Sequence, residues 1–355
     1  MKLLITGICG FVGSALAAEL QQRLEGLEII GLDNLSRPGS EINRAACRAR
    51  GIRLLHGDLR LASDLEGLPA VDWVIEAAAN PSVLAGVSGN ASSRQLMEHN
   101  LLATLNVLEY CKQHRSGLIL LSTSRVYSLA RLAALPLNTA ANAFVPDWSW
   151  IREPGLSEKG VAESFSTEPP VSLYGSAKLA SELVIREYSQ TFNFPSYVNR
   201  CGVMAGAGQF GKPDQGIFAY WIHSWARKRP LKYIGFNGCG LQVRDCLHPR
   251  DLAALLVRQM GHASATGEVL NVSGGTKSSF SLAQLSAWCE RRFGPHAVSP
   301  DPAPRPFDVP WMVLDSSKAA ARWEWQPEIG VESILEEIAQ HAQDHPDWLD
   351  LSKEA

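Results

Sequence analysis

What this sequence has least of is net charge. Lys and Arg number 33 against 36 Asp and Glu, leaving −3 over 355 residues. So small an excess gives no bulk attraction to nucleic acid or to an anionic membrane, and any anion must be held by local groups. Paired cysteines are missing too. Cys9, Cys47, Cys111, Cys201, Cys239, Cys246 and Cys289 are odd in number and form no C-x-x-C. That argues against a disulfide framework or a zinc site, and for reduced thiols used as small core residues. No apolar run approaches the ~18–20 residues that span a bilayer. Met1 leads straight into an apolar strand-like run, with nothing resembling a secretory leader. Repeats and low-complexity tracts are absent as well. A cytoplasmic protein is expected, with no nucleic-acid, membrane or metal partner.

What is there is a repeating strand–helix order. Lys2–Thr6, Glu28–Asp33, Ile52–Asp58, Trp73–Ala79 and Gly117–Thr123 each suit a buried parallel strand. Helical patterns run Phe11–Leu24 and Arg94–Gln113 between them, and Tyr174–Phe192 leads to a further strand, Ser196–Cys201. This order implies a doubly wound parallel sheet of Rossmann type with right-handed crossovers. At 355 residues the chain exceeds the ~250–300 at which one core stops growing, so a second unit is expected. Residues 1–199 form the first, with 243–272 returning to it. Residues 200–355 are mainly a smaller C-terminal α/β unit, with helices at Pro249–Met260 and Leu282–Phe293. From Ser128 to Pro170 the pattern breaks down among five prolines. A loop this long is usually functional, the plainer alternative being a floppy surface insertion.

The first strand runs into Gly7-Ile8-Cys9-Gly10-Phe11-Val12-Gly13, spaced G-x-x-G-x-x-G. Gly7 allows the sharp turn, Gly10 admits a pyrophosphate, and Gly13 lets the helix pack close; the helix N-terminus offers free N–H groups to phosphate. Turns collect glycine, so the trio counts only because it follows a strand and opens a helix. Asp33 ends the second strand. A carboxylate there accepts hydrogen bonds from a ribose diol and repels a 2′-phosphate, which favours NAD over NADP, although Arg37 lies close by. Asp58 is a candidate adenine contact. Asn100 is polar within an apolar helical pattern: it either hydrogen-bonds near the reacting centre or is simply buried and satisfied by backbone.

Tyr174 and Lys178 stand at i and i+4 on one predicted helix and share a face. An ammonium and an oxidised nicotinamide both favour phenolate, so a tyrosine between them could act as acid/base on a sugar hydroxyl. Thr123 ends the fifth strand, at the edge where such sheets place ligands, and could orient that oxygen. Alone, Y-x-x-x-K is cheap and reads as a surface pair; it gains weight from the glycine loop and Thr123 in the same order.

Six stretches together resemble the extended short-chain dehydrogenase/reductase superfamily over nearly the whole chain. They are Thr6–Gly13, Asp33–Arg37 (DNLSR), Thr123–Tyr127 (TSRVY), Tyr174–Lys178 (YGSAK), Arg244–His248 (RDCLH) and Arg305–Val309 (RPFDV). His56–Arg60, the insert before Tyr174, Gly208–Gly216 and Gly238–Asp245 make it most similar to the CDP-paratose 2-epimerase (CDP-tyvelose epimerase) group. The resemblance implies a bound, recycled NAD held by Gly7, Gly10, Phe11, Val12, Gly13, Asp33, Asn34, Ser36, Arg37, Asp58, Leu59, Ala77, Ala78, Asn100, Tyr174 and Lys178. It implies Tyr174 as base with Lys178 and Thr123, and a nucleotide-diphosphate sugar, CDP-linked by preference, met by Thr123, Ser124, Arg125, Gln209, Gln215, Arg244 and Arg305. The arginines suit the diphosphate, because a guanidinium grips phosphate oxygens as a planar fork. The reaction implied is transient oxidation to a keto-sugar, rotation, and hydride return to the other face, in a homodimer or homotetramer.

The chain departs from its relatives in two places. Glu76-Ala77-Ala78-Ala79 stands where many have His-Leu-Ala-Ala/Gly, and Ala205-Gly206-Ala207 where many have Tyr-Gly-Pro. Three other readings remain open. A UDP-hexose 4-epimerase shares every catalytic residue named. A sugar-nucleotide 4,6-dehydratase needs an acid pair beside the catalytic Thr, where this chain has Ser124 and Arg125. A non-catalytic NAD-binding protein would have lost the Tyr/Lys pair.

Overall fold

The structure is a computed structural model that describes residues 1–87, 92–262 and 267–352. Its centre is a seven-stranded sheet of β1 (Lys2–Thr6), β2 (Glu28–Asp33), β3 (Arg53–His56), β4 (Trp73–Glu76), β5 (Gly117–Thr123), β6 (Ser196–Cys201) and β7 (Glu268–Val272). The order is β7-β6-β5-β4-β1-β2-β3, and every pairing is parallel. The direction of winding reverses between β1 and β4, which opens a crevice at the carboxyl ends of those strands.

The strands are near-continuous apolar runs because helices cover both faces. On one face α1 (Phe11–Arg23) buries Leu16, Ala17 and Leu20 against Leu252, Leu255 and Leu256 of the helix Pro249–Met260 and against Trp323 and Trp325. On the other, α2 (Ala103–His114) and α3 (Ser172–Phe192) supply Val107, Leu108, Cys111 and Ile185. The single helix expected over 94–113 is interrupted. Ser93–Met97 is α-helical, Glu98–Leu102 makes a π turn, and α2 follows. Such a turn inserts one residue into the ladder and commonly marks a functional position. Here it carries Asn100.

A second sheet joins Val203–Met204, Val243–Leu247, Ser279–Ser281 and Trp311–Met312. Of the segment 243–272, β7 joins the first sheet and the helix Pro249–Met260 packs on its face, while Val243–Leu247 lies in the second sheet. The cause is local. Buried Asp245 accepts the Leu314 N–H at 2.8 Å, and Val243 pairs with Trp311 and Ser281, so both edges of that strand are taken. A third core gathers the helices Ile217–Ala226, Leu282–Phe293 and Val331–Asp344. The proline-rich insert is not a loose loop. It forms the hairpin Leu137–Ala140/Ala143–Pro146 and buries Leu129, Leu132, Val161 and Phe165 against Val309 and Trp311–Leu314. No described helix is long and apolar enough to cross a membrane.

A buried ionic network ties the sheet to α3. Arg200 on β6 reaches Glu182 on α3 at 2.6 Å, with side chains 7% and 3% exposed. Ser122 on β5 donates to the same carboxylate at 2.5 Å. Arg200 also donates to the Tyr127 hydroxyl at 3.2 Å, which donates to Asn271 on β7 at 2.6 Å. Removing one member of such a pair strands a charge without water, so Arg200→Leu is expected to destabilise the protein by about 3–5 kcal/mol. Urea unfolding checks this. A loss within experimental scatter of zero would show the network to be energetically idle.

Candidate active site

A cleft of about 840 Å³ lies over the carboxyl ends of the strands. Its floor is the glycine turn. Gly7 has φ +66°, and a Cβ there would come 2.9 Å from the Ala78 backbone. A Cβ on Gly13 would sit 2.2 Å from the Gly7 carbonyl oxygen, so only glycine lets α1 start this close to β1. Gly10 is the N-cap of α1 and supplies no capping side chain. The first N–H groups of the helix are therefore left for an anion. Phe11, Val12, Leu59, Ala77 and Ala78 line the same cavity.

Asp33 is seated by two backbone donors, Cys9 N–H at 2.9 Å and Leu35 N–H at 2.8 Å. Asn34 donates to Asp58 at 3.1 Å, and its own oxygen accepts the Ser36 N–H at 3.0 Å. Arg60 grips Asp58 with two guanidinium bonds, 2.9 and 2.6 Å, and holds that carboxyl well below the usual range. Arg37 bonds the Gln215 side chain and the Phe210 carbonyl across the cleft.

The other end of the cleft holds Thr123, Ser124, Arg125 and Tyr174. Thr123 Oγ accepts the Arg125 N–H at 3.2 Å, and Thr123 and Tyr174 face the same cleft. A Cβ on Gly175 would meet the Arg125 carbonyl at 2.3 Å, so this glycine lets α3 press its tyrosine against the end of β5. Burial pushes the Tyr174 phenol up to about 12, opposed by the neighbouring Thr123 hydroxyl and the Arg125 charge. The sequence expectation gave the opposing charge to Lys178. In the structure Lys178 lies one turn further along α3, 1% exposed, facing Glu76, Glu182 and Cys201. The cation that acts on the phenol from the cleft wall is Arg125. Its guanidinium donates to the Phe307 carbonyl at 3.1 Å, and burial together with Arg244 and Arg305 draws it down to about 10.

Four expected site residues do not line the cleft: Asn100, Lys178, Arg244 and Arg305. Asn100 clamps the Asn80 backbone with bonds of 3.0 and 3.1 Å, and Asn80 itself lines the cleft. Arg244 pairs with Asp308 and the Val309 carbonyl. Arg305 reaches the Pro213 carbonyl at 3.3 Å. Gln209 donates to the Met204 carbonyl at 2.6 Å and keeps a buried oxygen without a partner. The sequence reading missed Ser82, whose hydroxyl bonds Asp214 at 2.9 Å across the cleft; the Asn80-Pro81 turn signal pointed to that loop. It also missed Phe210, stacked on Trp348 at 5.2 Å, for which the sequence carries no signal. Among the described residues no cluster of His, Cys, Asp or Glu could hold a metal.

Comparison with known proteins agrees with this geometry. The NAD dependent epimerase/dehydratase family matches residues 3–273. The chain belongs to that family. Among curated relatives, CDP-paratose 2-epimerase of Salmonella typhi is 27% identical, covering 95% of this chain and 98% of its own length. UDP-glucuronate 4-epimerase of Thermodesulfobacterium geofontis is 25% identical over 94% of this chain and 93% of its own. Among solved structures, the NAD complex of Thermus thermophilus UDP-glucose 4-epimerase has a TM-score of 0.76 and 25% identity, covering 97% of this chain and 99% of that one. The cofactor of this epimerase/dehydratase chain is NAD, and the bare glycine cradle with Asp33 at the end of β2 fits it.

Gly13→Ala places a methyl group inside the contact with Gly7. It is expected to weaken NAD binding at least tenfold, read by calorimetric titration. Unchanged affinity would mean that the α1–β1 approach does not shape the cofactor site.

Proposed function

We propose that the protein epimerises the sugar of a nucleotide-diphosphate sugar by oxidising a carbinol, letting the ketone turn, and reducing it from the opposite face. The observation that carries this reading is that Thr123, at the end of β5, and Tyr174, on α3, line the same cleft as the glycine cradle. Thr123 and Tyr174 hold the sugar hydroxyl between them. Tyr174 takes its proton as the carbon is oxidised and returns it on reduction, work that a positioned acid/base supplies. Arg125 stabilises the phenolate from the cleft side, and Lys178 from the turn below. NAD, held by Gly7–Gly13, Asp33, Asn34, Ser36, Asp58 and Leu59, accepts and gives back the hydride when bound. Gln209 and Gln215 meet the sugar nucleotide from the loop over the cleft, and Arg244 and Arg305 reach its diphosphate by exchanging their present partners, Asp308 and the Pro213 carbonyl. Exposed Leu183 and Phe192 on α3 lie where association into a dimer or tetramer would form.

Two reaction types fit. Similarity over almost the full length to a CDP-paratose 2-epimerase favours inversion at C2 of a CDP-sugar. The UDP-glucuronate and UDP-glucose 4-epimerases among the similar proteins support inversion at C4 of a UDP-hexose. Dehydration is disfavoured, because Ser124 and Arg125 offer no carboxylic acid beside Thr123.

Incubation with CDP-, UDP-, GDP- and dTDP-sugars in deuterated water, followed by NMR, tests the reading. One sugar is expected to invert at a single carbon while keeping its own hydrogen there. Inversion of none would contradict the proposal, and deuterium at the inverted carbon would replace oxidation by enolisation. Tyr174→Phe is expected to keep NAD and lose ~10²–10⁴ in turnover; a near-normal rate removes Tyr174 from the mechanism. Arg305→Ala is expected to weaken sugar-nucleotide binding far more than NAD binding, and equal losses of both would refute its place at the diphosphate.

A further inference from the structure

In the seven-stranded sheet β1 lies between β4 and β2. The loops that follow β2 and β4 therefore stand on either side of the glycine turn. Arg37 belongs to the first loop and Ser82 to the second, and both reach across the cleft to one segment. The Arg37 guanidinium donates to the Gln215 side chain and, at 2.5 Å, to the Phe210 carbonyl. The Ser82 hydroxyl donates to the Asp214 carboxylate at 2.9 Å. All five residues line the same cavity as Gly7, Gly10 and Gly13. Residues 209–216 are thus moored on both sides of the turn that fits the pyrophosphate, and they span it.

The segment is braced to move as a unit. Lys212 and Gln215 exchange backbone bonds of 2.7 and 3.1 Å, closing a tight turn that presents Asp214. Gly216 has φ +65°, and a Cβ there would come 3.0 Å from the Gln209 side chain, so the two ends of the segment touch. The end of the chain backs it. Trp348 donates its indole N–H to the Gln209 carbonyl at 3.0 Å and stacks on Phe210 at 5.2 Å. A loop fastened at its base in this way opens by swinging about that base. The bonds from Arg37 and Ser82 are the ones such a swing must break.

We propose that residues 209–216 are a gate over the cofactor and that the Ser82–Asp214 bond is its latch, with Arg37 holding the other side. The latch joins protein to protein. It changes how often the cleft opens and not what NAD touches once seated. A gate of this kind slows entry and exit by the same factor and leaves affinity unaltered, because its closing favours neither the empty nor the loaded protein. The proposal rests on the NAD site and is independent of which sugar is turned over.

The test reads exchange and affinity separately. Labelled NAD on the protein is chased with excess unlabelled NAD for the release rate, and calorimetric titration gives the affinity. A hydrogen bond to a charged group shifts an equilibrium by roughly tenfold or more, so Ser82→Ala and Asp214→Ala are each expected to speed release about tenfold. Affinity is expected to stay where it was. The double variant is expected to release NAD no faster than either single one, since both remove the same bond. Ser82→Thr keeps a hydroxyl and is expected to remain slow. Ser82 also accepts the Leu84 N–H at 3.3 Å, and Asp214→Ala leaves that turn whole. Acceleration in Ser82→Ala alone would therefore report damage to the turn and overturn the latch. Release at the wild-type rate in both single variants overturns it as well. Faster release matched by an equal loss of affinity would mean that these side chains hold NAD itself, and additive effects would mean that they do not act as a pair; either result contradicts the proposal.

Discussion

A phenol removed from water holds its proton, and Tyr174 is 7% exposed at the bottom of the cleft. Burial takes it up to about 12 even against the Arg125 charge, far from any pH at which it could serve as a base. The surroundings of this hydroxyl are arranged against that penalty. Thr123 and Arg125 stand on the cleft side, and Lys178 lies one helical turn below. The same dryness that penalises the phenolate strengthens every charge aimed at it. A site open to water would need fewer cations and would gain less from each.

The fold supplies the rigidity this requires. The crossover between β1 and β4 makes the crevice, and Gly7, Gly13 and Gly175 allow backbone approaches that a side chain would block. The Glu182–Arg200–Tyr127–Asn271 network pins α3 to β5, β6 and β7 from beneath. Tyr174 and Lys178 are thereby held on a helix that cannot rock without breaking a buried ion pair. The insert before Tyr174 packs against 309–314 and so braces the Phe307 carbonyl that Arg125 holds.

What could be read from the sequence was whatever depends on neighbours in the chain. The glycine turn, Asp33 at the end of its strand and the four-residue spacing of Tyr174 and Lys178 each carry their geometry locally. The strand pattern fixed the sheet for the same reason, since a buried parallel strand looks apolar wherever it pairs. The unread parts depend on partners distant in sequence. Val243–Leu247 carries Arg244 and Asp245 within a short buried strand, and its place in the second sheet depends on distant partners, Ser281, Trp311 and the Leu314 N–H that Asp245 accepts. Arg37 sits beside Asp33 in the chain but bonds Gln215, 178 residues away. The prolines at 136–170 suggested a loop, because proline reports on a residue's own backbone and not on the Val161 and Phe165 side chains buried beside it.

The most direct test of this account is the ionisation of one side chain. The 295-nm phenolate absorbance of the protein, with Tyr174→Phe subtracted as reference, titrates Tyr174 with and without NAD. The account expects ionisation near the alkaline extreme in the cofactor-free protein and a fall of several pH units toward neutrality once the oxidised cofactor is bound. A titration that stays in the same place with NAD present would contradict it, because the phenol would then have no means of becoming a base.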